Sequence, residues 1–156
     1  MKRTIKYFIY ALIASVMLTS CGNKESLQHY YVDHQETKDF ISQDFPLSMI
    51  DIDKSSLTEK QQEAYNSVDK LNFLGYKVND NNRETFNTEL TKVKTILADA
   101  KYNDLMEFSD RGNKISVKYL GDDDEAEEVI LFGSSADMGF GVVRILGDDM
   151  SPDKMV

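Results

Sequence analysis

Two stretches of the chain repeat apolar residues with the spacing of an α-helix. The first, preceded by a capping box of Ser56 and Glu59, comprises Leu57, Gln61, Ala64, Val68 and Leu71. The second, preceded by Asn81 and Glu84, comprises Phe86, Leu90, Val93, Leu97 and Ala100. Because both repeats advance in steps of four and three residues, the pattern predicts amphipathic helices over about 57–69 and 83–100.

The last third of the chain changes to the period of β-strands. Residues 115–119 alternate between apolar and polar side chains, which indicates a strand with one face in water. Residues 129–132 form a continuous apolar run, typical of a strand covered on both faces. Two more strands are predicted over 103–109 and 140–146, with a hairpin turn at residues 110–113. Together these elements predict a C-terminal four-strand meander.

Two strands are also predicted earlier in the chain. Residues 71–78 form an apolar segment in which Gly75 indicates a bulge, and the alternation after Pro46 favours a short first strand over 47–52. We therefore expect an α+β fold for residues 39–156. The expected domain has two layers, with two amphipathic helices packed on a mainly antiparallel sheet.

The N-terminus has the pattern of a bacterial lipoprotein signal. Three basic residues precede the apolar run 7–18, which is too short to span a bilayer, since a spanning helix needs about 20 residues. The run ends in Leu18-Thr19-Ser20-Cys21, which fits a lipobox and contains the chain's single cysteine. We expect residues 1–20 to be removed and Cys21 to carry a covalent lipid with acyl chains such as palmitate. The alternatives are an ordinary secretory signal or an uncleaved anchor.

The residues after the cysteine indicate where the protein resides. Gly22 replaces the aspartate that retains lipoproteins in the inner membrane, so we expect the outer membrane, with the periplasmic face favoured over the cell surface. Residues 21–38 are mostly polar and lack a sustained apolar period, which predicts a flexible tether. His29 and His34 fall in this segment, and a flexible tether offers no fixed geometry for a metal.

Charge narrows the classes of partner. Removing the signal would leave 15 basic and 27 acidic residues, a formal charge of −12. Such a surface argues against nucleic acid, and against a face that binds anionic lipids directly. With Cys21 acylated, no thiol would remain for a disulfide.

Few residues suggest a catalytic, ligand-binding or metal-binding role. The run Asp122, Asp123 and Asp124, continued by further acids to residue 128, favours a solvated loop, with weak calcium or small-ligand contact as the alternative. An EF-hand is excluded because Ala126 occupies a ligand position. Arg144 lies among apolar strand residues, where it would pair with a carboxylate or contact an anionic ligand. Residues 39–156 contain no histidine, so no catalytic pair with serine or cysteine is predicted, nor is any metal or cofactor motif.

The domain resembles the domain-of-unknown-function 4252 family of small Bacteroidota envelope proteins, over roughly residues 57–156. The matching positions are the helix ending near Ala100, then Tyr102, Leu105, Met106, Asp110, Gly112, Val117, residues 128–132 and residues 146–150. The resemblance implies a secreted or lipid-anchored α+β domain and transfers no catalytic residue.

The expected function is that of a lipid-anchored envelope protein acting as an interaction or accessory domain. Its partners would be the membrane, through the lipid on Cys21, and another envelope protein. The alternative is a small-ligand or calcium-binding module at residues 122–128.

Overall fold

A computed structural model of the chain describes residues 25–110 and 113–155, without the side chain of Asp110. The predicted signal peptide and Cys21 lie outside these ranges. The helices and strands, in chain order, are α1 (Leu27–His34), β1 (Phe40–Pro46), α2 (Glu59–Asn66), β2 (Val68–Lys77), α3 (Arg83–Leu97), β3 (Tyr102–Asp110), β4 (Asn113–Gly121), β5 (Ala126–Ser135) and β6 (Gly139–Met150). Single 3₁₀ turns lie at Leu47–Met49, Lys54–Ser56 and Pro152–Lys154.

The six strands form one sheet in the order β1-β2-β6-β5-β4-β3. All five neighbouring pairs are antiparallel. The predicted α+β class, with helices and an antiparallel sheet, is confirmed. Because β2 lies between β1 and β6, the early strands extend the same sheet that the last four strands build.

Helices α1 and α3 pack against one face of the sheet, which we call the covered face. The larger core lies there, because the apolar stripe of α3 meets alternate residues of the central strands. Its buried members include Leu27, Tyr30, Leu74, Phe86, Val93, Leu97, Ile130, Phe132 and Val142. We call the opposite side of the sheet the open face.

The strongest predicted helix is confirmed as α3, which ends at Leu97 rather than near Ala100. Asn82 precedes its first residue but makes no side-chain bond to the helix. Instead, its side chain accepts from the Asn79 N–H at 2.7 Å and donates to the Lys77 carbonyl at 3.0 Å. Asn82 therefore closes the connection from β2 to α3.

The prediction of a flexible tether over residues 21–38 is wrong for residues 27–34, which form α1. Ser26 caps this helix by accepting from the His29 N–H at 3.1 Å. Leu27, Tyr30 and Tyr31 are buried in the main core. These three residues follow each other at steps of three and one, so their apolar stripe is too short to be recognised within a polar segment. Their burial is nevertheless enough to pack the helix against the sheet.

The first strand and the start of α2 also differ from prediction. The strand is Phe40–Pro46, and Pro46 ends it, so the residues that follow form a 3₁₀ turn instead of the predicted strand over 47–52. Helix α2 is capped by Thr58 and Gln61, two residues after the predicted box at Ser56. It stops at Asn66 because β2 begins at Val68.

The predicted irregularity of the second strand is misplaced as well. Gly75 pairs regularly with Ile41 and Gly141. The shift in register lies between Val68 and Lys70, at the start of the strand. Gly75 instead allows the Phe73 ring to pack directly on the backbone. A Cβ at this position would lie 2.7 Å from Phe73 Cζ, which is too close unless the ring shifts.

Candidate functional site

Arg144, the candidate ligand-binding residue of the sequence, is buried on the covered face and paired. Its Nε donates to Glu128 Oε1 at 2.5 Å and its Nη2 to Glu128 Oε2 at 3.1 Å. The guanidinium carbon lies 5.8 Å from the centre of the Tyr31 ring. The prediction that Arg144 pairs with a carboxylate is confirmed, and the pair holds β5 to β6 beneath α1.

A second polar contact beside it fixes α1 to the edge of the sheet. The Tyr31 hydroxyl donates to Asp44 Oδ1 at 2.6 Å, and Asn72 Nδ2 donates to the same oxygen at 2.5 Å. Burial and the hydrogen bond to Asp44 raise the pKa of the Tyr31 hydroxyl well above its usual value. This network therefore ties one helix to two strands.

Helix α1 is tied to α3 through Glu89. The carboxylate accepts from the Tyr30 hydroxyl at 2.8 Å and from Lys92 Nζ at 2.7 Å, and His34 Nε2 lies 3.3 Å away. Burial opposes ionisation of Glu89, but the bonds from Lys92 and Tyr30 outweigh it and lower its pKa. Burial also raises the pKa of Tyr30. These hydrogen bonds and ion pairs of Glu89 therefore hold α1 against α3.

The two histidines are not brought together. His29 lies 3.4 Å from Asp33 on the exposed side of α1, while His34 stacks on Tyr30 with ring centres 4.0 Å apart. Over residues 25–110 and 113–155, no three histidine, cysteine, aspartate or glutamate side chains form a group that could hold a metal ion.

The acidic run divides into an exposed turn and a buried residue. Asp122 and Glu125 close the turn through reciprocal backbone hydrogen bonds of 3.0 and 3.2 Å, and Asp122, Asp123 and Asp124 are exposed. Asp123 accepts from the Tyr119 hydroxyl at 2.5 Å, which raises the pKa of Tyr119. Glu128 belongs instead to the inward-facing side of β5, a role that sequence reasoning missed by counting it with the run. Its alternation with Ile130 and Phe132 was the available signal.

A cleft of about 530 Å³ lies on the covered side, between the end of α3 and strands β3 to β5. Two of its three lysines have acidic partners, since Lys118 Nζ lies 2.6 Å from Asp104 and Lys114 Nζ lies 3.6 Å from Glu107. The third, Lys94, lines the cleft together with Asp99. With its charges balanced in this way, the cleft does not select a ligand of either sign.

The open face is apolar across all six strands. Strand pairing places two adjacent rows of side chains there. The first row is Ile41, Gly75, Gly141, Gly133, Ile115 and Phe108. The second row is Gln43, Phe73, Val143, Leu131, Val117 and Met106. None of these twelve positions carries a charge and only Gln43 is polar, although Lys77 and Ser135 lie on the same side at the strand ends.

The three glycines of the first row form a trough in this face. The Phe73 ring lies over Gly75 and Gly141, and beside it remains a cavity of about 350 Å³ between Phe73 and Ile115. Around the trough, four large apolar side chains are exposed, namely Ile41, Phe108, Ile115 and Met138. Exposed large apolar side chains grouped on one sheet face are a feature of interaction sites in soluble domains.

Among residues 25–110 and 113–155, the segment after β6 covers one end of the open face. A smaller core lies there, in which Met150 and Met155 contact a group of strand residues that includes Tyr119 and Val129. The tail and α2 are linked at this end by an ion pair between Lys154 and Glu63. The first row lies toward the other end, whereas Met106, Val117 and Leu131 of the second row pack into this smaller core. Sequence reasoning missed both rows because the long-range strand order decides which residues align.

Together, the fold and surface define a small α+β domain with one helix-covered sheet face and one that the described residues cover at one end. The chain belongs to the family described as Domain of unknown function (DUF4252), whose model matches residues 30–156. The match begins inside α1, in agreement with that helix being part of the domain. No curated protein and no solved structure matches the chain. Among the described residues, no helix is long and apolar enough to cross a membrane.

Proposed function

We propose that this chain is a lipid-anchored lipoprotein of the bacterial envelope whose domain works by binding protein through its open face. The observation that supports the proposal best is the uncharged double row on that face, in which Ile41, Phe108 and Ile115 are exposed. We take the domain as two-layered, with the helices on one side and strands β3 to β6 as a meander, so that the other side is left for a partner. The family match supports a domain without an assigned reaction.

The anchor would hold the domain close to the bilayer. Only residues 22–26 separate Cys21 from α1, and at about 3.5 Å per extended residue they reach roughly 20 Å. The proposed site is the outer membrane of a Bacteroidota cell, on its periplasmic face. Since α1 is folded onto the core, this distance is much shorter than a tether over 21–38 would allow.

The anchor is tested by replacing its cysteine. Full-length protein and a Cys21→Ala variant are expressed in cells fed a labelled fatty acid, and membrane and soluble fractions are compared. We expect the label and the membrane fraction to be lost in the variant. An unchanged membrane fraction in Cys21→Ala would show that the lipobox interpretation is wrong.

The interaction surface is tested by photo-crosslinking in intact cells. A photoreactive residue is placed at Ile115 on the open face or, as a control, at Val32 on the outer side of α1. The two side chains are comparably exposed, at 43% and 54%. We expect protein adducts at position 115 and none at 32. Equal yields, or no adduct at 115, would contradict the proposal.

A further inference from the structure

We infer that the protein partner adds an extended segment to the sheet as a further strand beside β3, and that this segment alternates apolar and basic side chains. The inference rests on the function proposed above, since it names the part of the partner that binds at the margin of the open face. It is carried by the position of β3 in the sheet, by the residues on its two sides and by the order of charges at its edge.

Strand β3 forms one edge of the sheet. Among residues 25–110 and 113–155, it pairs with β4 alone. A strand bonds to each neighbour through alternate residues, so about half of the N–H and C=O groups of β3 point away from β4. A bulge between Asp104 and Met106 interrupts the strand near its start, but residues 106–110 pair with β4 in regular register. This regular stretch can therefore pair with another strand on its outer side.

The opposite edge, β1, is less suited to a further strand. It has seven residues where β3 has nine, and it ends at Pro46, which has no N–H to donate. Its side chains are also engaged by α1 and the residue after it, since Asp44 accepts from Tyr31 and Ser42 donates to the Gln35 carbonyl. Strand β3 is therefore the edge at which we expect the partner.

Strand β3 presents an apolar side and an acidic side to an added strand. Phe108 lies on the open face beside Ile115, and both side chains are exposed. Glu107 lies on the other side, where it lines the cleft together with Asp104. Successive residues of an added strand point to opposite sides of the sheet. One set of its side chains would therefore extend the apolar row beyond Phe108, and the other set would face the carboxylates.

The order of charges across β4 and β3 favours basic side chains on the added strand. The lysines lie on β4, one strand further in, with Lys118 Nζ 2.6 Å from Asp104 Oδ1 and Lys114 Nζ 3.6 Å from Glu107 Oε1. Both acids are exposed on the outermost strand. A carboxylate accepts at two oxygens, so each acid can bind a lysine of β4 on one oxygen and a basic side chain of the partner on the other.

The same charges disfavour a second copy and an acidic segment. Continuing the sheet with β3 of another copy would bring the acids of both chains onto adjacent strands, and like charges on adjacent strands destabilise their pairing. The chain has 27 acidic and 18 basic residues, so long-range attraction also favours a basic partner. The segment is therefore expected to carry lysine or arginine at alternate positions, with apolar residues between them.

The direct test measures the binding of two synthetic peptides to the full-length protein in non-ionic detergent. One peptide alternates valine and lysine over about ten residues, and the other has glutamate at every lysine position. By fluorescence anisotropy, we expect the lysine peptide to bind at least about tenfold more tightly than the glutamate peptide. Hydrogen exchange should slow at residues 106–110 when the lysine peptide binds, because backbone N–H groups there become paired.

Charge reversal at the edge provides the matched comparison. Glu107→Lys should weaken binding of the lysine peptide about tenfold, whereas Glu59→Lys, the same change at an exposed position of α2, should leave it nearly unchanged. Equal losses in the two variants, or exchange that slows only outside β3, would show a general attraction to an acidic chain and overturn the inference. Glu107→Gln, which should also weaken binding, replaces Glu107→Lys if thermal unfolding shows that the latter does not fold.

Crosslinking in cells separates this inference from the proposed function. With the photoreactive residue at Ile115, Glu107→Lys should reduce the protein adducts. The crosslinked segment, sequenced by mass spectrometry, should alternate apolar and basic residues. Adducts that keep their yield in Glu107→Lys, or that map to a helix or an acidic segment of the partner, would overturn the added strand and leave an interaction domain. The absence of any protein adduct at position 115 would overturn the proposed function and, with it, the partner named here.

Discussion

Arg144 and Glu128 form a two-pronged ion pair inside the domain, with Nε–Oε1 and Nη2–Oε2 distances of 2.5 and 3.1 Å. Both side chains are about 5% exposed, so neither charge can be solvated by water if its partner is removed. The pair joins β5 to β6 below the Tyr31 ring, so breaking the pair should also disturb the packing of α1 on the sheet.

Removing one member of this pair should strongly destabilise the folded domain. Glu128→Gln is expected to lower the free energy of unfolding by about 3–5 kcal/mol, because it leaves the arginine buried without a counter-charge. The double change Glu128→Leu with Arg144→Met should recover most of that loss, since it removes both charges and keeps the volume. Urea unfolding of the three proteins measures both effects.

The matched control is the pair of Lys118 and Asp104, whose carboxylate is 84% exposed. Asp104→Asn should change the free energy of unfolding by about 1 kcal/mol or less, because solvent screens exposed pairs. Equal losses for Asp104→Asn and Glu128→Gln would contradict the buried role of Glu128.

Helix α1 should contribute to stability as a core element. Leu27→Ala removes a fully buried side chain and is expected to cost about 2–5 kcal/mol. Val32→Ala, on the exposed side of the same helix, should stay within about 0.5 kcal/mol of the parent. Thermal or urea unfolding of the two variants makes the comparison, and a neutral Leu27→Ala would return α1 to the status of a tether.

Strong local patterns in the sequence were enough to locate α3 and the last four strands. The 4-3-4-3 repeat from Phe86 is long, and Phe86, Val93 and Leu97 are buried as predicted, whereas Ala100 lies beyond the helix and is exposed. Helix α1 escaped prediction because its stripe of Leu27, Tyr30 and Tyr31 covers barely more than one turn, and its stability comes from tertiary contacts.

Less of the candidate site could be predicted from the sequence. Arg144 stood out as a lone charge in an apolar strand, and its pairing could be anticipated. The alignment of Gly75, Gly133 and Gly141 depends on β2 pairing with β6, a contact between residues about 70 positions apart that no local period specifies.

Alkaline pH should destabilise the domain through the buried tyrosines. The pKa values of Tyr30 and Tyr31 are raised above the ordinary value of 10.0, mainly by burial. Above about pH 10 the unfolded chain therefore releases protons that the folded chain retains, and the free energy of unfolding falls as pH rises. Below that pH this contribution is fully present.

Tyr31→Phe isolates the effect. At neutral pH the variant should be about 1 kcal/mol less stable, because Asp44 loses a hydrogen bond. Above pH 10 the gap between parent and variant should narrow, since phenylalanine has no proton to release on unfolding. Urea unfolding at pH 8, 10 and 11 follows the gap, and a gap that stays constant would show that Tyr31 is not shielded as described.

The central claim, that the open face is covered in the envelope, is tested most directly by methionine oxidation in intact cells. Met138 borders the trough and Met49 lies in the turn after β1, and they are comparably exposed in the isolated chain, at 68% and 73%. With peroxide and mass spectrometry, we predict that Met138 is oxidised several-fold more slowly than Met49 in cells. After dilution in detergent the two rates should become similar. Equal rates for Met138 and Met49 in the intact envelope would contradict the claim.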